Sequence, residues 1–449
     1  MPTADAISHL FKRAGFGLDL ETIQQKSLQP LETTVEELLD DFVEVEKPTF
    51  LDDASLEDWE REYLLRHWWL DRMAGSTKPL QEKLTLFWHG HFATENSKVN
   101  DVRLMWDQNN LFRTSGMGNF RELVQNMSLQ AAMVLYLDNA YNHKSSPNEN
   151  FARELLELFT LGVNQYSQAD VITAARAWTG HNINDSMSPM TYEFHSTAHD
   201  FGTKEFMGES RAWDGPQIID YLLEENLATK MIAARHITRK LWVYFAGSTP
   251  PEAVIDELSH VFFDSDLNIK DLLRAVFLRP EFYGRRSRNG LVRNPTEWVV
   301  AIMKATHIPM TDPGDGSDHF HAWGMDEMGM ELFQPPNVAG WKNNAYWLGT
   351  TQHWARASWI WNYRWTLHEA NFLFSDVQEV LDGPGGDARY ELAVDNALAK
   401  FGIYTPTANT KSVLTTWIKK QYEAPGEWRQ RAWYHVTQLI TMSPDFMMA

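Results

Sequence analysis

Not one of the 449 residues is cysteine. That removes disulfides, thiolate nucleophiles and sulfur-rich metal sites, so a bound metal would have to be held by His, Asp, Glu, Asn or carbonyl oxygen. Positive charge is scarce: 40 Lys and Arg face 60 Asp and Glu, a net charge of −20. This balance argues against nucleic acid or an anionic membrane surface as a partner and leaves cations, metal ions and neutral or basic ligands. No apolar run approaches the roughly 18–20 residues of a membrane span. Residues Met1 to Ser8 carry no basic stretch followed by an apolar one. The expectation is therefore a cytoplasmic protein, or a periplasmic or exported one if a leader has been removed. Also missing are the glycine-rich dinucleotide turn, the P-loop, the Gly-x-Ser-x-Gly elbow and His-Glu-x-x-His. No nucleotide cofactor is expected, nor a familiar serine-hydrolase or zincin design.

Apolar residues make up 43% and charged residues 22%, the balance of a soluble globular chain. The 19 tryptophans have two readings: a large aromatic core, or flat faces that grip sugar rings. Helical periodicity recurs along most of the sequence. It predicts a mainly α fold, with one large multi-helix domain over residues 1–381. A small irregular or hairpin insertion is expected near 182–213, where the period breaks into short alternating pieces. The acid-flanked Gly383-Pro384-Gly385-Gly386 then reads as an exposed turn. Beyond it, residues 388–449 form C-terminal helices packed on the main domain. The end, Leu439 to Phe446, echoes Ala275 to Phe282: a proline stops a helix and an aromatic folds back.

Four stretches carry chemistry. In Asn148 to Gly162, Asn148 can cap a helix and Gly162 can end it. Phe151, Leu155 and Leu158 would face inward, with Asn150, Glu154 and Glu157 on an adjoining stripe. Glu149–Arg153 and Arg153–Glu157 would be ion pairs at i,i+4. This is either a well-made core helix or one wall of a polar site. The second stretch, Lys78 to Phe92, reads as a helix ending in His89-Gly90-His91. If the helix continues through His91, the two rings point about 200° apart and cannot share a metal. If Gly90 breaks it, both face one side and can chelate together. The third is a long loop bearing His199 and Asp200, preceded by a helix whose Arg176 is a partner for Glu154 or Glu157. The fourth, Phe333 to Trp341, is interrupted by Pro335, Pro336 and Gly340 and cannot be regular. It suits a buried plug or a pocket wall, with Asn337 and Trp341 at its far end.

Asn148 to Gly162, Phe87-Trp88-His89-Gly90-His91-Phe92 and Phe333 to Trp341 together resemble the bacterial family designated domain of unknown function 1800. His9 to Gly17 is similar to that family's start and His199 to Gly208 to its middle. The resemblance runs in order from about residue 9 to the C-terminus. It implies no particular reaction. Members often look exported and are often encoded beside a sulfatase-like family, which implies a functional link to such a neighbour. The leading expectation is an enzyme with a His/carboxylate site. Glu154, Glu157, His199 and Asp200 would be catalytic, Asn150, Arg176, Asn337 and Trp341 would bind substrate, and His89 and His91 would hold a divalent metal. Zinc, manganese or iron would then activate water or oxygen. Without a metal, two carboxylates would act as acid and base on a glycosidic bond. The alternative is a non-catalytic, Trp-rich protein that binds polysaccharide or assembles with another protein.

Overall fold

The computed structural model describes residues 2–40, 42–247, 249–311, 316–363, 366, 374–423 and 428–449. Its centre is the helix Pro79–His91, entered through proline at its first position, where the missing N–H costs nothing. Leu80, Leu84, Phe87 and Trp88 of this helix are buried, but so are Gln81, Glu82, Lys83, Thr85, His89 and His91. A helix buried on all sides must find a partner for every polar side chain. Glu82 accepts from Trp69 Nε1 at 2.9 Å and Arg72 Nε at 2.5 Å, both on helix Asp58–Gly75. It also accepts from Arg113 Nε at 2.9 Å, on helix Val102–Ser115. Lys83 pairs with Glu297 of helix Pro295–Thr306, and Trp88 Nε1 donates to the Gly116 carbonyl at 2.8 Å. These bonds tie the centre to three surrounding helices.

The fold is mainly α, with a small hairpin insertion. After helix Gln168–Ala177, strand His181–Asn184 pairs antiparallel with Thr191–Phe194, His181 opposite Phe194. A second hairpin joins Lys204–Phe206 to Glu209–Arg211. Helix Leu227–Phe245 then packs against Glu252–Asp264. The two echoing segments behave alike: Pro280 and Pro444 open single turns, Pro280–Tyr283 and Pro444–Met447, which fold Phe282 and Phe446 into the interior. The C-terminal helices Ala388–Lys400 and Ala408–Tyr422 reach the N-terminal region through Tyr404, whose hydroxyl donates to Leu18 O at 3.2 Å. Arg293 Nη1 donates to Phe446 O at 2.8 Å. Among the described residues, no helix is long and apolar enough to cross a membrane. Trp69, Trp88, Trp178, Trp213, Trp298 and Trp347 are fully buried, whereas Trp59, Trp354 and Trp361 are exposed, so much of the tryptophan serves the core.

Removing the charge of Glu82 leaves Arg113, itself wholly buried, without a counter-ion. Glu82→Gln is expected to lower the unfolding free energy by about 3–5 kcal/mol. Urea denaturation checks this, and a loss of under about 1 kcal/mol would show that the network carries little of the stability.

Candidate functional site

The helix begins one place later than expected: Glu149, not Asn148, stands at its N-cap, and Asn148, the residue before, accepts through its Oδ1 from Asn150 N at 2.9 Å. The α-helix runs over Asn150–Glu154 and then widens into a π-helical turn, Leu155–Thr160. Leu161 N accordingly donates to Leu156 O, five residues back, at 3.0 Å. The extra residue per turn shifts the register after Glu154. Glu149 and Arg153 pair at 2.8 Å, but the second expected pair does not form. Arg153 turns to Gln168 Oε1 at 2.9 Å, and Glu157 accepts the Tyr166 hydroxyl instead. Glu154 is half-buried, and burial, then Glu157, pushes its carboxyl up from the usual range. Asn150 Nδ2 donates to Asp138 Oδ2 at 3.0 Å.

At its other end, the π turn presents carbonyls that no intrahelical donor can reach. Leu158 O accepts from Lys240 Nζ at 3.0 Å and His236 Nε2 at 3.3 Å, and Phe159 O accepts from His91 Nε2 at 3.2 Å. Gly162 closes the stretch at φ +91°, where a Cβ would lie 2.9 Å from His236 Nδ1. Glycine is the residue that fits.

The central helix continues through His91, with Phe92 N donating to Trp88 O at 2.8 Å. Gly90 does not break it, so the arrangement in which His89 and His91 face one ion is not formed. His89 Nε2 accepts from Phe333 N at 3.1 Å, and its ring packs on Trp69, Phe333 and Trp341. Burial drives its pKa down to about 3, so it is neutral. His91 donates from Nε2 to Phe159 O and accepts at Nδ1 from Lys240 Nζ at 3.0 Å. Burial, then Lys240 and His236, hold it well below the usual imidazole range. The lone pair of each ring is engaged by a donor. Among the described residues, no three His, Asp or Glu side chains converge as a metal site.

His199, Asp200 and Arg176 form a separate cluster that latches the insertion. His199 is buried and its Nδ1 donates to Thr179 O at 2.7 Å. Asp200 accepts from Arg176 Nε at 2.8 Å, so Arg176 is committed there rather than to Glu154 or Glu157. Burial opposes ionisation of Asp200, but the bonds from Arg176 and Gly202 N hold its pKa below the ordinary value. Lys204 Nζ donates to the Asp200 and Gly202 carbonyls. The fourth stretch is both plug and wall. Phe333, at φ +66°, plugs the core beside His89. Asn337 is exposed and folds its own loop, its Oδ1 accepting from Ala339 N at 2.9 Å. Gly340, at φ +73°, lies so close to the central helix that a Cβ would meet Gly90 O at 2.1 Å.

Where this loop crosses the helices, a cavity of about 320 Å³ opens. Phe87, Tyr244, Trp341 and Trp347 line it together with His91, Lys240, Arg239 and Lys342. The structure thus unites His91 with Trp341 and leaves the carboxylate stripe and the His199 cluster elsewhere. Burial lowers the Lys240 ammonium to about 8. Lys240, Tyr244 and Trp347 were not anticipated as site residues. The one sequence signal for Lys240 and Tyr244 is their four-residue spacing with His236, which sets a single face of helix Leu227–Phe245; Trp347 lies outside it.

Fold and cavity define a helical protein with an aromatic-walled, cationic pocket. The family model described as "Protein of unknown function (DUF1800)" matches residues 9–448, and the chain belongs to this family. No curated protein and no solved structure matches it.

The neutral state of His89 has a pH consequence. Unfolded, the imidazole takes a proton below about 6.5; folded, it does so only near 3. The unfolded chain binds more protons in that window, so stability falls as pH drops from 6.5 towards 3, by up to about 1.4 kcal/mol per pH unit for one such group. His89→Gln, whose Oε1 can still accept the Phe333 amide, should flatten the slope of unfolding free energy against pH by one proton. An unchanged slope between pH 6 and 4 would mean that His89 is protonated in the fold.

Proposed function

We propose that the cavity at His91 and Lys240 is the active site. Its ligand is a small organic molecule bearing a carbonyl or carboxylate oxygen beside a flat or apolar body. The observation that carries this reading is the setting of Lys240 Nζ. Two of its tetrahedral positions are committed, to His91 Nδ1 and Leu158 O, both at 3.0 Å. One position remains, on a side chain that lines the cavity. As an ammonium, Lys240 offers a third N–H to a ligand oxygen. As a neutral amine, its two protons are donated to His91 and Leu158, and the lone pair takes the third position. A pKa near 8 makes both forms accessible close to neutral pH, the condition for a nucleophilic lysine. Such an amine adds to the carbon of an aldehyde or ketone; the carbonyl oxygen leaves as water with the two amine protons, and a C=N bond remains. Trp341, which is only partly buried, supplies the flat face. A reducing saccharide satisfies both requirements, which keeps carbohydrate among the ligand classes.

Reductive trapping tests the proposal. Full-length protein is incubated with cyanoborohydride and a panel of aldehydes, 2-oxo acids and reducing sugars, and the modified peptide is located by mass spectrometry. Selective adducts on Lys240, absent from Lys240→Met, are the expected result. Adducts scattered over surface lysines, or ligand binding unchanged in Lys240→Met, would overturn it. Elemental analysis of tag-free protein adds a second arm. Stoichiometric zinc, manganese or iron that disappears in His89→Ala/His91→Ala would replace the amine reading with a metal-dependent one.

A further inference from the structure

The opening stretch His9 to Gly17 takes no part in the site above, yet its Lys12, Phe16 and Gly17 line a second cavity. This space, about 440 Å³, lies beside helix Ala4–Ala14. We infer that it is a second binding site, for a small oxyanion with a short apolar portion, held by Lys12 with Arg293 and Lys304. The inference stands independently of the Lys240 reading.

Lys12 is the central observation. Its side chain makes no hydrogen bond or ion pair with any described residue, and it also lines two smaller cavities of about 60 and 20 Å³. Burial, then the neighbouring Arg293, lowers its pKa to about 7; Asp445 acts in the other direction, Arg13 lowers it further, and Asp5 again raises it. Asp445 is no close counter-ion, because its oxygens are taken by Thr407 N, Thr407 Oγ1 and Thr410 Oγ1. The carboxylates that line the cavity are likewise engaged. Asp19 caps helix Leu20–Lys26 by accepting from Thr22 N at 2.8 Å and Thr22 Oγ1 at 2.7 Å. Asp71 accepts from Met310 N and from Thr311 Oγ1 at 3.1 Å. Lys304 Nζ has only a long bond, 3.4 Å, to Ala74 O. Arg293 donates to Phe446 O and stacks 4.5 Å above the Phe446 ring. None of these three cations is in an ion pair with a described residue, and Arg293 acts on Lys12 as a like charge, so an entering anion relieves their repulsion. Phe16, Met303, Ile308 and Phe401 supply the apolar wall, which suits a short hydrocarbon portion beside the charged head.

The test uses the full chain and two probes, inorganic phosphate and butyrate, followed by calorimetry and thermal unfolding at constant ionic strength. Wild type should bind saturably and melt several degrees higher. Lys12→Met should bind at least about tenfold more weakly. Without ligand it should melt at or above the wild-type temperature, because a cation beside Arg293 that has no ion pair has been removed. Lys240→Met, in the other cavity, should keep the anion response. An equal rise in melting temperature for wild type and Lys12→Met would identify a general salt effect and overturn the inference. So would the failure of both probes to bind. Butyrate binding without phosphate would assign the site to carboxylates, and the reverse to phosphate-bearing ligands.

Discussion

A helix buried on every side, yet rich in polar residues, is the constraint on which the rest of the molecule depends. Helix Pro79–His91 could have been an apolar rod. Instead Gln81, Glu82, Lys83, Thr85, His89 and His91 all lie inside; Thr85 donates back to Gln81 O of its own helix, and the other five bond to other elements. Glu82 fixes two helices through Trp69, Arg72 and Arg113; Lys83 fixes a third through Glu297. His89 captures the amide of Phe333, and so sets the loop that ends at Trp341. His91 and Lys240 take the last carbonyls of the π turn. Unpaired polar groups in such a place are expensive, so the network specifies one packing.

The distribution of charge follows from the same economy. The chain is strongly acidic, but many of its carboxylates are on the outside, and several cations are within. Lys12, Arg13, Lys83, Arg293 and Arg356 are all lowered in pKa by burial, and Glu297 is the carboxylate that recurs as a compensating charge for all of them but Lys12. A small cavity that shares lining residues with both the Lys12 and the Lys240 cavities makes this concrete. It shares Lys12 with one and Tyr244 and Trp347 with the other. Excess net charge therefore says little about the ligand that an interior can recognise; local desolvated cations decide that.

Much of the fold was legible in short-range pattern. The 3.6-residue period marks the central helix and helix Leu227–Phe245, and Asn148 and Gly162 bracket the stretch between them in sequence. The loss of period near 182–213 marks the hairpins. The candidate site was legible only in pieces. His91 and Trp341 were picked out, and they meet in one cavity. Arg176 was matched to the wrong carboxylate, because Asp200 reaches it from a loop whose path no local rule specifies. The Arg153–Glu157 pair failed because one π turn moves Glu157 out of register.

By itself, the sequence determined helix positions, their caps and breaks, and the absence of sulfur chemistry, since these follow from each residue and its near neighbours. Tertiary structure decided which partners the nitrogens of His89 and His91 meet, which carboxylate meets which arginine, and in which direction burial shifts the titrating groups. Lys240 and His91 are 149 residues apart along the chain. The character of that amine arises from desolvation and from contacts that exist only once distant helices have packed.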